Sequence, residues 1–166
     1  PLCTGDAVLK TKKCIKDKFF LMLLPDDLII KKNCSKSMIN VHKRYNSAVM
    51  ASMNINKKNV SRWGIYKLDK RLDKKNYFIK DVIEKPSIKS APSNKAVIGR
   101  YILPKTIFLK LKKQKAGKGG EIHITDAIQS LIKEKNRFIA HNFSGKYLDC
   151  GSMSGYIKSA IKISKL

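Results

Sequence analysis

Three short stretches set charged side chains at the ends of apolar runs. FFLMLLPDDLII (19–30) puts Asp26 and Asp27 directly after six apolar residues and a proline. VIEKP (82–86) ends in Glu84 and Lys85. YLDCGS (147–152) carries Asp149, then Gly151. Carboxylates are the hard oxygen ligands that Mg²⁺ takes, and one or two of them together with substrate phosphates make its usual site. A lysine nearby would carry phosphate charge as a compact point cation. By residue type, then, the constellation points to metal-assisted chemistry on a phosphorylated substrate. A set of solvated turns reads equally well from the pattern alone, because any α/β protein places polar residues at strand ends.

The elements that must position these residues alternate along the chain. FFLMLL (19–24) has strand length and no polar residue, as a strand buried on both faces of a parallel sheet would. SAVMASMNI (47–55), GIYKLD (64–69), NYFIKDVIEK (76–85), AVIGRYIL (96–103), RFIAHNF (137–143) and KYLDC (146–150) read as further strands. Helices are expected over 4–17 with Thr4 as cap, over 35–45 capped by Ser35, from Pro104 onward, over TDAIQSLIKEK capped by Thr125, and over SMSGYIKSAIKISK at the end. KPSIKSAPSN (85–94) is loop by its Pro and Ser content. The alternation predicts an α/β fold with a mostly parallel sheet, in which ligands bind beyond the carboxyl ends of the strands. With 166 residues and no linker or repeat, a single domain over 1–166 is expected.

Composition narrows the partners. The chain has 36 Lys+Arg against 12 Asp+Glu, a net charge of +24. Such a charge would fit nucleic acid or an anionic membrane. Yet 31 of the 36 cations are Lys, only 5 are Arg, and they are spread throughout the chain. Arg, with its bidentate fork, is the residue of phosphate clamps and base readers. The 20 Ile and 10 Asn rise together with Lys, as A/T-rich codon usage would produce. A basic solvated surface is therefore expected, with no specific nucleic-acid partner. No run approaches the roughly 18 apolar residues of a membrane span, and PLCTGDAVLK has no apolar stretch of signal-peptide type, so a cytoplasmic protein without membrane contact is expected. Cys3, Cys14, Cys34 and Cys150 are neither in CxxC pairs nor at ligand spacing from a histidine; the spacing predicts reduced thiols and no zinc site. His42, His123 and His141 show no catalytic-triad pattern and read as structural.

LLPDDL (23–28), EKP (84–86), APSNKAVIGRYIL (91–103), AGKGGEIHITDAI (116–128) and YLDCGSMSGY (147–156), in that order, resemble bacterial UTP–glucose-1-phosphate uridylyltransferases, within the sugar nucleotidyltransferase superfamily. PLCTGDAVL resembles that family's P-L-G-x-G-H-A-V segment. The resemblance implies a Rossmann-like sheet. It also implies what is missing: the family's glycine-rich G-x-G-T-R loop and K-E-x-x-P motif, which hold the triphosphate, occur nowhere in these 166 residues. A partial domain is expected, lacking the N-terminal strands, with FFLMLL left at a sheet edge and the chain inactive by itself.

Carried over residue by residue, the resemblance implies that Asp26 and Asp149 are Mg²⁺ ligands, that Glu84 accepts from glucose hydroxyls, that Lys85 holds the sugar phosphate and that Gly64 lets backbone approach the sugar. Leu2, Gly5 and Asp6 fall where the family touches base and ribose. Asp27 reads as a solvated or helix-capping neighbour. The implied reaction joins UTP and glucose 1-phosphate, through positioning and charge neutralisation without a protein nucleophile. A homo-oligomer is implied at full length. Cys3 stands where the family has glycine, Asp6 where it has histidine, and His123 where it often has glutamine. The first two leave base selection open and so admit the same fold with another base or sugar; the missing loop admits a noncatalytic sugar-nucleotide-binding module, and a basic nucleic-acid binder is the third alternative reading.

Overall fold

The computed structural model describes residues 3–115 and 120–166. The segments, in order, are α1 (Cys3–Lys10), β1 (Phe19–Leu23), β2 (Asp27–Ile30), α2 (Cys34–Tyr45), β3 (Ala48–Asn54), β4 (Gly64–Arg71), β5 (Asn76–Glu84), β6 (Lys95–Pro104), α3 (Ile107–Lys113), α4 (Ile124–Lys133), β7 (Phe138–Asn142), β8 (Lys146–Asp149) and α5 (Met153–Ile163), with 3₁₀ turns over Thr11–Lys13 and Lys57–Arg62.

Six strands form one sheet in the order β1-β6-β3-β7-β5-β4, and β2 pairs with β8 in a separate two-stranded sheet. The α/β class is as expected, but the sheet is mixed rather than mostly parallel. Among the described residues only β3–β7 is parallel, and the β1–β6, β3–β6, β4–β5 and β5–β7 pairings are antiparallel. The reason lies in the connections. A parallel neighbour needs a long crossover, whereas β3, β4, β5 and β6 follow one another with no α-helix between them.

The strands in the middle of the sheet are apolar because both faces are covered. Along β3, Ala48 and Met50 enter one core with Val49 and Ala51 on the other face; along β7, Phe138 and Ala140 oppose Ile139. The first core includes residues of α1, α3 and α4, the second residues of α2. FFLML does not share this environment. β1 pairs only with β6 among the described residues, and Leu21 and Leu23 are exposed, so it is an antiparallel edge rather than a buried parallel strand.

Two irregularities of β6 and its neighbours matter for the site. The pairing with β3 runs Val49↔Ile102 and Met50↔Tyr101, then jumps to Ala51↔Ile98, which leaves Gly99 and Arg100 as a bulge. Bulges bend a strand and re-aim its groups, and here the bulge turns Gly99 toward β2. Lys85, just past β5, has a left-handed backbone at φ 43°, a conformation that costs a non-glycine residue energy and concentrates at functional sites.

Helix starts differ from expectation in four places, the first being α1, where Thr4 lies inside the helix behind Cys3 instead of capping it. α2 is capped by Asn33, whose side chain accepts from the Lys36 amide at 2.9 Å; Ser35 lies inside the helix. Pro104 closes β6, and α3 begins at Ile107. Thr125 sits in the first turn of α4 behind His123 and turns its hydroxyl to Glu84 instead of capping. Ser152 does cap α5, accepting from Gly155 N at 3.2 Å. Asn33→Ala is therefore expected to cost about 0.5–2 kcal/mol in urea unfolding, while Ser35→Ala stays within about 0.5 kcal/mol of wild type; the reverse ranking would contradict this start of α2.

Candidate functional site

The ends of β1, β5 and β8, the start of β4, the β6 bulge and the first turns of α1 and α4 surround a cleft of about 440 Å³. Asp26, Gly64, Glu84, Lys85 and Asp149 all line it. Five residues from distant parts of the chain thus converge.

The two metal-ligand candidates meet across Gly151. A Cβ at that glycine would stand 2.9 Å from Asp26 Oδ2 and 3.3 Å from Asp149 Oδ1, which bounds the separation of the two oxygens at about 6 Å. The β2–β8 ladder creates the meeting. Asp27 pairs with Asp149, and the Cys150 amide donates to the Asp26 carbonyl at 2.8 Å. Asp149 is further held by the Gly151 amide at 3.0 Å and by Arg62 at 3.4 Å. Two carboxylates with only a glycine between them suit a hard cation that keeps waters and bridges to phosphate.

The same cleft presents Glu84 and Lys85. Thr125 donates to Glu84 Oε2 at 2.9 Å, which fixes the carboxylate. Gly64 pairs with Glu84 across β4–β5, and a Cβ there would come within 3.1 Å of the same oxygen, so the glycine keeps that corner open. The Lys85 amide donates to the Trp63 carbonyl at 3.0 Å, holding the left-handed turn that exposes its side chain to the cleft.

Asp27 is not a solvated neighbour. It is 8% exposed. Its Oδ2 accepts from the Gly99 amide at 2.6 Å and its Oδ1 from the Tyr147 hydroxyl. A Cβ at Gly99 would lie 2.4 Å from Asp27 Oδ2, so only glycine fits the bulge there. Burial raises the Asp27 pKa above its ordinary 3.8; the bonds from Tyr147 and Gly99 oppose the shift, and the charge of Asp26 adds to it. Burial and the bond to Asp27 push the Tyr147 phenol up in turn.

The three N-terminal candidates divide. Leu2 lies outside the described residues, as do the first four residues of AGKGGEIHITDAI. Gly5 is buried under the segment before α4: its amide donates to the Ile122 carbonyl at 2.8 Å, and a Cβ would stand 2.5 Å from that oxygen. Asp6 pairs with Lys10 at 3.0 Å. The part of α1 that lines the cleft is Cys3 and Thr4. Arg62, Thr125, Gly99 and Tyr147 were not singled out from the sequence. Only Gly99 carried a signal, as an isolated glycine inside a strand pattern.

Residues 2–165 match the nucleotidyl transferase family model. The chain belongs to that family. It is 36% identical over 166 aligned residues to UTP–glucose-1-phosphate uridylyltransferase 2 of Streptococcus pyogenes, covering 97% of this chain and 55% of the relative. It is 35% identical over 158 residues to the UTP–glucose-1-phosphate uridylyltransferase of Pseudomonas aeruginosa, covering 93% and 56%. The chain thus spans about half the length of these curated relatives. Among solved structures it is similar to a UDP-glucose pyrophosphorylase complexed with UDP-glucose (TM-score 0.91, 39% identity, 97% of this chain and 61% of that one). It is also similar to an apo UDP-glucose pyrophosphorylase (TM-score 0.92, 38% identity, 100% and 62%). No described helix is long and apolar enough to cross a membrane.

Asp27 gives the cleft a pH signature. A carboxyl whose folded pKa exceeds its unfolded value favours the native state when protonated, so its contribution is full below 3.8 and is lost as pH rises through the folded pKa. Asp27→Asn has no such titration. The stability of wild type relative to Asp27→Asn, from urea unfolding at a series of pH values, is expected to fall as pH rises above 3.8 and then level off; a rise over that window would refute the burial argument.

Proposed function

We propose that residues 1–166 are the sugar-phosphate and metal-binding part of a UTP–glucose-1-phosphate uridylyltransferase. The observation that carries this reading is the convergence of Asp26 and Asp149 in one cleft with Glu84 and Lys85. The similarity to uridylyltransferases and UDP-glucose pyrophosphorylases supports it.

In the proposed reaction a phosphate oxygen of glucose 1-phosphate attacks the α-phosphorus of UTP. The new P–O bond forms as the bond to the departing pyrophosphate breaks, giving UDP-glucose. Glu84, fixed by Thr125, accepts from glucose hydroxyls with the oxygen that Thr125 leaves free. Gly64 lets the sugar lie against backbone. Lys85 holds the acceptor phosphate, and Arg62 keeps the Asp149 carboxylate turned toward Asp26. Asp26 and Asp149 would hold Mg²⁺, which when bound neutralises phosphate charge. Orienting the two anions is the chain's main contribution, because no protein group needs to be covalently modified.

The family's triphosphate-binding loop matches nothing in these residues, so the proposal assigns turnover to a longer, cytoplasmic protein that oligomerises. The 166-residue chain is expected to bind glucose 1-phosphate with Mg²⁺ but to form no UDP-glucose. Fusion to the N-terminal portion of the Pseudomonas relative is expected to yield UDP-glucose from UTP, with dTTP in parallel as the base control. In the fusion, Asp26→Asn should lower kcat by about 100-fold or more, with circular dichroism unchanged. Lys85→Ala should raise the KM for glucose 1-phosphate more than that for UTP. Unchanged turnover of Asp26→Asn at saturating Mg²⁺, or UDP-glucose made by the 166-residue chain alone, would sink the assignment.

A further inference from the structure

A second cluster of ligating groups includes Cys3 and His123 of the same cleft, with Glu121 beside them. Cys3 opens α1 and His123 caps α4, 120 positions later, and the structure brings Cys3 Sγ to 3.8 Å from His123 Nδ1. Glu121 Oε2 lies 3.3 Å from His123 Nε2. One ligand atom from each of the three residues lies within 4.8 Å of the other two. We propose that Cys3, Glu121 and His123 bind a zinc-class divalent cation, with a fourth position open to water.

Only one imidazole nitrogen can bind the ion, so the 3.8 Å and 3.3 Å contacts, made by opposite ring nitrogens, are not both ligand spacings; the common measure is the 4.8 Å within which one ligand atom of each residue lies. Tetrahedral zinc with Zn–S near 2.3 Å and Zn–N and Zn–O near 2.0–2.2 Å puts neighbouring ligand atoms about 3.3–3.6 Å apart. Closing the cluster onto an ion takes side-chain adjustments of about 1 Å, with no movement of the helices. The backbone that carries the ligands is already tied together. The Gly5 amide donates to the Ile122 carbonyl at 2.8 Å, and the absence of a Cβ at Gly5 permits that approach. Gln114 Nε2 donates to the His123 carbonyl at 3.0 Å from α3. Cys3 itself holds a left-handed φ of 72°, which no glycine relieves, and that strained backbone presents the thiol to the imidazole.

The donor set also selects the metal. Thiolate and imidazole favour zinc-like ions, whereas carboxylates and water suit Mg²⁺. The cleft would therefore hold two different cations, Mg²⁺ at Asp26 and Asp149 and a softer one at Cys3. Sequence spacing does not reveal the second site, because its ligands lie in three places joined only by the fold.

Cobalt(II) titration of the 166-residue chain tests this without any activity measurement. In excess Mg²⁺, which keeps Co²⁺ off Asp26 and Asp149, one equivalent is expected to bind with a thiolate-to-cobalt charge-transfer band and to be displaced by Zn²⁺. Cys3→Ser should abolish the band. His123→Gln and Glu121→Gln should each weaken binding by tenfold or more. The Cys14→Ser/Cys150→Ser double variant should bind as wild type. Wild-type protein gives a check that needs no variant: Zn²⁺ should protect Cys3, and not Cys14, from alkylation, read by mass spectrometry. A band that survives Cys3→Ser in folded protein, or equal alkylation of Cys3 with and without Zn²⁺, would reduce the cluster to an ordinary His123–Glu121 ion pair beside a free thiol and overturn the proposal.

Discussion

The buried carboxylate of Asp27 joins three parts of the molecule that no other side chain connects in the same way. It belongs to β2, takes the amide of Gly99 from the β6 bulge and takes the hydroxyl of Tyr147 from β8. The two-stranded β2–β8 sheet is thereby locked against the six-stranded one. The meeting of Asp26 and Asp149 in the cleft hangs from that lock. Asp26 precedes Asp27 in sequence, and Asp149 faces it across the ladder. Burying a carboxylate is costly unless hydrogen bonds compensate, and here two donors supply that compensation. The same carboxylate that sets the geometry is thus the one whose ionisation the fold resists.

The rest of the cleft depends on close approach. Gly5, Gly64, Gly99 and Gly151 each stand where a Cβ would meet a neighbouring atom at 3.1 Å or less. In three of the four the neighbour is a carboxylate of the site itself. Small residues here make room for charge, and the strands and helices behind them, covered on both faces by apolar cores, keep that room from collapsing.

The parts of this arrangement that could be read from the sequence are those set by local pattern. β3 and β7 announce themselves as unbroken apolar runs because both of their faces are covered, and Asp26, Glu84, Lys85 and Asp149 stand out as charges at the ends of such runs. Strand direction was partly legible: the short link from Arg71 to Asn76 between β4 and β5 is too brief for the crossover that a parallel pair needs, and the expectation of a mostly parallel sheet passed over it. β2 was invisible because DLII is only four residues long and shows no alternation. Asp27 looked solvated because its two partners lie 72 and 120 positions away. Cys3 and His123, each an isolated departure from the family pattern, become intelligible only as neighbours. Asn33 and Ser35 are both good caps, and local sequence could not choose between them.

The final helix has one further consequence. α5 buries only Ser159, while Met153, Tyr156, Ile157 and Ile161 face outward. Its grip on the body of the protein is concentrated at one point, the carbonyl of Asp149, which accepts from the Ser159 hydroxyl at 3.3 Å and against which Gly155 packs so closely that a Cβ would lie 2.4 Å away. The front of Asp149 faces the cleft and its back is clasped by a helix that little else restrains. The placement of Asp149 is therefore tied through its own backbone to the packing of α5, whose capping residue Ser152 also lines the cleft.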